Sequence, residues 1–365
     1  MHKARIRANN YLWSRLSRER GIGLTKTRSL PKNLFILLAD DSVAFCNYTA
    51  SESESLTLND DNMKKAADFC LNNFFNPVIV HSNNAIMSDK AQEAFAGLPY
   101  INIYPQSNMS VMQNENDITY HDSKSIMHAT SLGNCCVLAV GQEELLDLGI
   151  YCHKALAHFK RVNINLIYDP QTLDAESYNN QLYIIARHLL EYFNNNELRQ
   201  VNILTDDLFI KKRSNCNFGL DNFVLAPNGF VYACPAFYYD NPNNHLGSID
   251  KDLDYNHLIS LSLIHNSVCH NCNIKHCKFC IKWNENLTGE YHVPSSKQCK
   301  ISQLENDVSY YLQSELHDNS KIKMYMNKIE KNKNEDPILS KSMPIKPMLN
   351  FSYRREELIK TEDTK

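Results

Sequence analysis

Seven of the twelve cysteines lie between Cys216 and Cys299, and the need to bring those thiols together constrains the fold more than any other feature. Twelve residues separate Cys216 from Gly229, and four separate Gly229 from Cys234. Cys269 with Cys272, and Cys277 with Cys280, form two CxxC pairs four residues apart, and Cys299 follows. A CxxC turn directs two thiolates at one metal, and several such turns complete a tetrahedral zinc site or the corners of an iron-sulfur cluster. Zinc ribbons place about 15 to 20 residues between their pairs, so the compact spacing here favours iron-sulfur clusters, with zinc as the alternative. His270 and His276, inside the same run, are further zinc-ligand candidates or simply exposed histidines.

At 365 residues the chain has room for one large domain and a smaller one. A net charge of -3 leaves no overall basic footprint for nucleic acid or for a membrane surface. There is no apolar run near the roughly 18 residues of a spanning helix and no secretory signal pattern, so the expected location is cytoplasmic. Thiols stay reduced there, which favours metal ligation over structural disulfides.

Residues 1–32 carry nine Lys or Arg and a single acid, Glu19, and are expected to form a disordered basic arm. Beyond them, short apolar runs alternate with helical periodicity. Strands are expected at Asn33 to Ala39, Pro77 to Val80, Tyr100 to Tyr104, Cys135 to Val140, Val162 to Tyr168 and Val201 to Leu204. Helices are expected at Asp61 to Phe75, Asp89 to Ala96, Gln142 to Phe159, and after an Asp174 cap, where Tyr178, Leu182, Ile185, Leu189 and Tyr192 mark one face. Cys70, Cys135 and Cys136 fall within these elements and read as core residues. Phe223 to Ala226 and Phe230 to Ala233 flank Asn228-Gly229, a strong hairpin signal. Six strands alternating with helices imply a parallel α/β sheet, open or curved into a partial barrel. From about Ser320 the composition is polar and lysine-rich, as in a helix followed by a loose tail.

Cys216, Gly229 and Cys234 resemble the start of the SPASM domain, a C-terminal extension of radical-SAM peptide maturases that binds auxiliary iron-sulfur clusters. The second half departs from that pattern, with gaps of four and two residues where the family has five and three. The segment TDDLFIKKRSNCNFGLDNFVLAPNGFVYACPAFYYD, with NLFILLADDSVAFCNY upstream, more narrowly resembles the CXXX repeat peptide maturases, over roughly residues 33 to 310. The resemblance implies a partial (β/α)6 radical-SAM-like barrel over 33–210 and a SPASM-like iron-sulfur domain over 211–310; composition makes 311–365 a polar helix and tail. It also implies 4Fe-4S cofactors held by Cys216, Cys234, Cys269, Cys272, Cys277, Cys280 and Cys299, and a cysteine-containing precursor peptide as partner.

Radical-SAM enzymes carry three cysteines in the loop after the first strand, leaving one iron of the cluster open to SAM. Here that loop, ADDSVAFCNY, holds only Cys46, and no CxxxCxxC occurs elsewhere. One thiolate does not hold a four-iron cluster, which argues against self-contained SAM chemistry. Cys46 reads either as a small buried hydrophobe or as a thiol at the end of the barrel where such folds place their sites, and it is the one candidate for a catalytic residue. Asp40 and Asp41 read as ligands for a peptide amine or cation, or as solvated acids. Phe237, Tyr238 and Tyr239 are expected to pack near the thiols rather than grip a peptide. Motifs for nucleotide, zincin or hydrolase chemistry are missing. Two functions fit: maturation of a ribosomally made cysteine-repeat peptide, or a non-catalytic scaffold that presents the precursor to a separate enzyme around a structural metal site.

Overall fold

The computed structural model describes residues 32–48, 56–111, 115–130, 133–210, 216, 218–219, 221–251, 253, 272, 274, 276–277, 279–317 and 320–331. The basic arm before Lys32, Cys269, His270 and the tail after Lys331 lie outside them. Seven strands follow one another in chain order from inside the sheet to one edge: β1 (Lys32–Leu37), β2 (Phe75–Val80), β3 (Ile101–Pro105), β4 (Ile118–Asp122), β5 (Gly133–Gly141), β6 (Phe159–Ile167) and β7 (Gln200–Val201). Pairing from β2 through β7 is parallel.

The chain then returns to the opposite edge. There β8 (Asn222–Leu225) lies parallel to β1, with Phe35 beside Val224, and β9 (Phe230–Tyr232) and β10 (Gly247–Ser248) extend the sheet antiparallel. A doubly wound sheet reverses its strand order at a switch point. The unbroken order from β1 to β7 is instead the winding of a barrel, and β10 and β7 remain as free ends of an open sheet.

Helices α1 (Asp60–Asn73), α2 (Asp89–Ala94), α3 (Ser123–Met127), α4 (Leu148–His158), α5 (Ala175–Asn194) and α6 (Asn202–Phe209) connect the strands. The α5 helix starts where its sequence dictates: the Asp174 carboxylate accepts from the N–H groups of Glu176 and Ser177. It buries Tyr178, Leu182, Ile185 and Leu189 completely, at 0% exposure each. Near the end of the described chain, α7 (Pro235–Asp240), α8 (Ile281–Thr288) and α9 (Ser296–Glu315) follow.

Two apolar cores result. One joins β1, β2, α1 and the β8–β9 hairpin, and it includes Cys70, Cys234, Phe237, Phe279 and Ile281. The other joins β5, β6, α4, α5, α6 and α9, and it includes Cys136. The described parts of the cysteine-rich region therefore pack onto the same core as the first strand.

Two sequence expectations need correction. Ile118–Asp122 forms β4, which the apolar pattern did not reveal. The run Val201 to Leu204 is not a strand, because the strand ends at Val201 and Asn202–Phe209 is helical. The Asn202 side chain takes over the ladder there, accepting from Ile164 N–H at 2.9 Å and donating to Ile164 O at 3.2 Å. The hairpin also turns differently. The Gly229 N–H bonds Ala226 O at 2.9 Å with Pro227 and Asn228 at the centre, and Gly229 takes the left-handed region at φ 80, making a three-residue loop.

Candidate functional site

The loop from Leu38 to Tyr48 leaves β1 and crosses the ends of the neighbouring strands. Leu38 N–H bonds Val80 O at 3.1 Å, Ser42 Oγ donates to the same carbonyl at 3.0 Å, and Val43 N–H reaches His81 O at 3.0 Å. Further along the sheet, the buried Asn165 of β6 donates from Nδ2 to Ala44 O at 2.9 Å and Cys46 O at 3.0 Å. The turn that carries Cys46 is thus fastened from both ends of the parallel sheet.

The residues flanking Cys46 lead, directly or through one further residue, to segments that hold other cysteines. Phe45 lies 6.2 Å from the ring of Phe218, two residues after Cys216, and both rings pack on Phe35 of β1. Tyr48 stacks on Tyr239 of α7 at 5.0 Å, and Cys234 is the N-cap residue of α7. Asn47 Nδ2 donates to Tyr168 O at 3.4 Å, and the Tyr168 ring meets Trp283 of α8 at 5.1 Å. That helix begins at Cys280. Lys282, buried on α8, bonds Asp240 at the end of α7 at 2.8 Å and Glu285 at 2.9 Å, and lies 5.2 Å from the Phe237 ring centroid. These contacts clamp the two thiol-bearing helices together.

The thiols act on one another. Burial pushes Cys46 well above its ordinary value, and the thiols of Cys234, Cys216 and Cys280 add to the shift in that order. Cys234 is raised in the same way, by burial and then by Cys280 and Cys216. The Cys216 residue keeps an exposed side. Even so, the protein packed around its sulfur lifts the thiol to about 12, with Cys280 the next cause. Cys280 is raised by burial, while the N–H groups of Trp283 and Lys282 and the Lys282 ammonium favour its thiolate.

Cys234, Cys216 and Cys280 all disfavour ionisation of Cys46, and a bound cation would reverse that, because coordinated thiols are deprotonated. Among the described residues, no three or more His, Cys, Asp or Glu side chains are disposed to hold a single metal ion. Thiolates ligate zinc and the irons of an iron-sulfur cluster alike, so the donor type suits either.

Cys272, Cys277 and Cys299 are partly buried, and no disulfide joins the described cysteines. His276 Nε2 lies 3.5 Å from the Ile210 carbonyl. Asp40 is occupied by the protein: it accepts from the Tyr238 hydroxyl and from Leu56 N–H at 3.1 Å, and its carbonyl takes the Tyr239 hydroxyl at 2.9 Å. Asp41 accepts from Asn84 Nδ2 at 3.2 Å. Tyr238 and Tyr239 therefore pack and fasten, as expected. Cys135 is more than a packing residue, because its sulfur accepts from Asn163 Nδ2 at 3.2 Å beside the Arg161–Asp206 ion pair.

No family description and no curated protein matches the chain. Among solved structures, it is similar to anSMEcpe, determined with AdoMet and a Kp18Cys peptide bound. The TM-score is 0.51 at 13% identity, covering 77% of this chain and 98% of that one. SuiB of Streptococcus suis, bound to S-adenosylmethionine, aligns with a TM-score of 0.48 at 13% identity, over 74% of this chain and 75% of that one. The fold is α/β with a mostly parallel sheet of the radical-SAM-like kind. Among the described residues, no helix is long and apolar enough to cross a membrane.

Proposed function

We propose that this protein takes part in maturing a ribosomally made, cysteine-containing precursor peptide, with 4Fe-4S clusters held by Cys216, Cys234, Cys269, Cys272, Cys277, Cys280 and Cys299 in a SPASM-like region. The observation that carries this reading is that the residues flanking Cys46 in the loop after β1 pack against Phe218 near Cys216 and Tyr239 of α7, and through Tyr168 reach Trp283 of α8. It is supported by a fold shared with a protein solved with AdoMet and a peptide. Bound clusters supply electron transfer or a ligand position for a substrate thiolate. The chain's own residues position them: Lys282 holds α7 against α8, and Asn165 holds the loop.

The single cysteine in that loop favours a second reading, a scaffold that binds the precursor for a separate enzyme. Anaerobic incubation of iron-loaded protein with reductant, with and without AdoMet, and a synthetic cysteine-repeat peptide separates the two by mass spectrometry. A mass change that requires loaded protein supports maturation by this chain. Tight binding without a mass change supports the scaffold, and neither result contradicts both. Cys272→Ala or Cys277→Ala lowers bound metal and destabilises the region around α8, because ligation and folding are coupled.

A further inference from the structure

We infer that Cys46 is the fourth thiolate of an iron-sulfur site completed by Cys216, Cys234 and Cys280, a site built jointly by the loop after β1 and the cysteine-rich region. The identity of the metal rests on the proposed function, whereas the assembly of the four residues rests on the geometry. Three chain neighbours of Cys46 reach the three elements that hold the other thiols: Phe45 to Phe218, Tyr48 to Tyr239, and Asn47 through Tyr168 to Trp283. The carbonyl of Cys46 itself is fixed by Asn165 at 3.0 Å and by Tyr48 N–H at 2.8 Å, so the residue is held in place rather than carried on a free turn. The influence of Cys234, Cys216 and Cys280 on the Cys46 thiol agrees with this placement.

The ligand count agrees as well. The seven cysteines from Cys216 to Cys299 are one short of two four-thiolate clusters, and Cys46 makes eight. Removing Cys46, Cys216, Cys234 and Cys280 from the eight leaves Cys269, Cys272, Cys277 and Cys299, one full set for a second cluster. A cluster with all four irons bound to protein thiolates keeps no open iron for AdoMet. The loop that supplies an open cluster in radical-SAM enzymes here closes one.

The test compares wild type, Cys46→Ser, Cys46→Gly and the core control Cys70→Ala, each purified anaerobically and analysed for iron and sulfide, with electron paramagnetic resonance after dithionite. Cys46→Ser is expected to lose about four irons per chain or to convert one signal to a different cluster type, while Cys70→Ala keeps the wild-type values. Cys46→Gly should regain the native signal when a small thiol such as 2-mercaptoethanol is added, a rescue that a mere packing role does not give. AdoMet added to the wild type should leave the signal lost in Cys46→Ser unchanged. Iron-loaded wild type with a Cys46→Ser variant identical in iron, sulfide and spectrum overturns the role of Cys46 alone. A wild-type chain that takes up no iron overturns the cluster reading itself.

Discussion

Replacing Asn165 by Leu keeps roughly the same volume but removes both donors that fasten the Cys46 loop to β6. Asn165 is 6% exposed, and its Nδ2 reaches Ala44 O at 2.9 Å and Cys46 O at 3.0 Å. Two such bonds contribute about 1 kcal/mol each, and a buried carbonyl left without its partner costs about 1 to 3 kcal/mol. The Cys46 carbonyl keeps the Tyr48 N–H at 2.8 Å, so the larger penalty falls at Ala44. The expected loss is about 2 to 4 kcal/mol in urea unfolding, read as a lower midpoint at unchanged slope. Hydrogen exchange should quicken over residues 42–48 while α5 keeps its protection, because the damage is local. A midpoint shift below about 0.5 kcal/mol, or loop exchange at the wild-type rate, refutes the claim that Asn165 holds this loop.

Acid should destabilise the protein through His81 and His121. Burial lowers each to about 4, against a small opposing pull from Asn102 and Asp117 on His81 and from Asp122 on His121. The unfolded chain therefore binds more protons between about pH 6.5 and 4. Stability is full above that window and falls on acidification through it, by up to about 3 kcal/mol per histidine, and a flat stability profile there contradicts the assignment. Gly229→Ala should cost about 1 to 2 kcal/mol by thermal unfolding, since φ is 80 and an added Cβ meets Asn62 Nδ2 at 3.1 Å; an unchanged melting temperature excludes the strained turn. Leu189→Ala, at a fully buried position of α5, should cost about 2 to 5 kcal/mol in the same assay, and a loss below 1 kcal/mol denies it a core role.

Elements with a strong period were legible. The α5 face and its Asp174 cap follow from spacing and cap chemistry alone, and Cys70 sits in the core as its helical position implies. Short elements were not. Ile118–Asp122 offers one aliphatic residue among polar and aromatic ones, so nothing in its local pattern separates it from a loop. Val201 to Leu204 is apolar enough for either a strand or a buried helix, and the Asn202 side chain bonding to β6 decides for the helix.

The site was half legible. Thiol spacing marks Cys216, Cys234 and Cys280, whereas Cys46 carries no spacing signal, because the loop that holds it meets the cysteine-rich region only through β1–β8 pairing and ring contacts between residues distant in the chain. An isolated cysteine followed by two polar or aromatic residues reads as a spare thiol until tertiary contacts give it neighbours. Asp40 illustrates the converse. Its place at a strand end suggests a ligand, and two tyrosines from α7 use it as a fastening point.

The most direct measurement is metal and sulfide analysis of anaerobically purified wild-type protein, with absorption spectra before and after dithionite. A cluster site formed by these thiols gives about four or eight irons per chain with matching sulfide and a chromophore that bleaches on reduction. Stoichiometric zinc with a featureless, redox-silent spectrum contradicts it and leaves a metal-stapled scaffold.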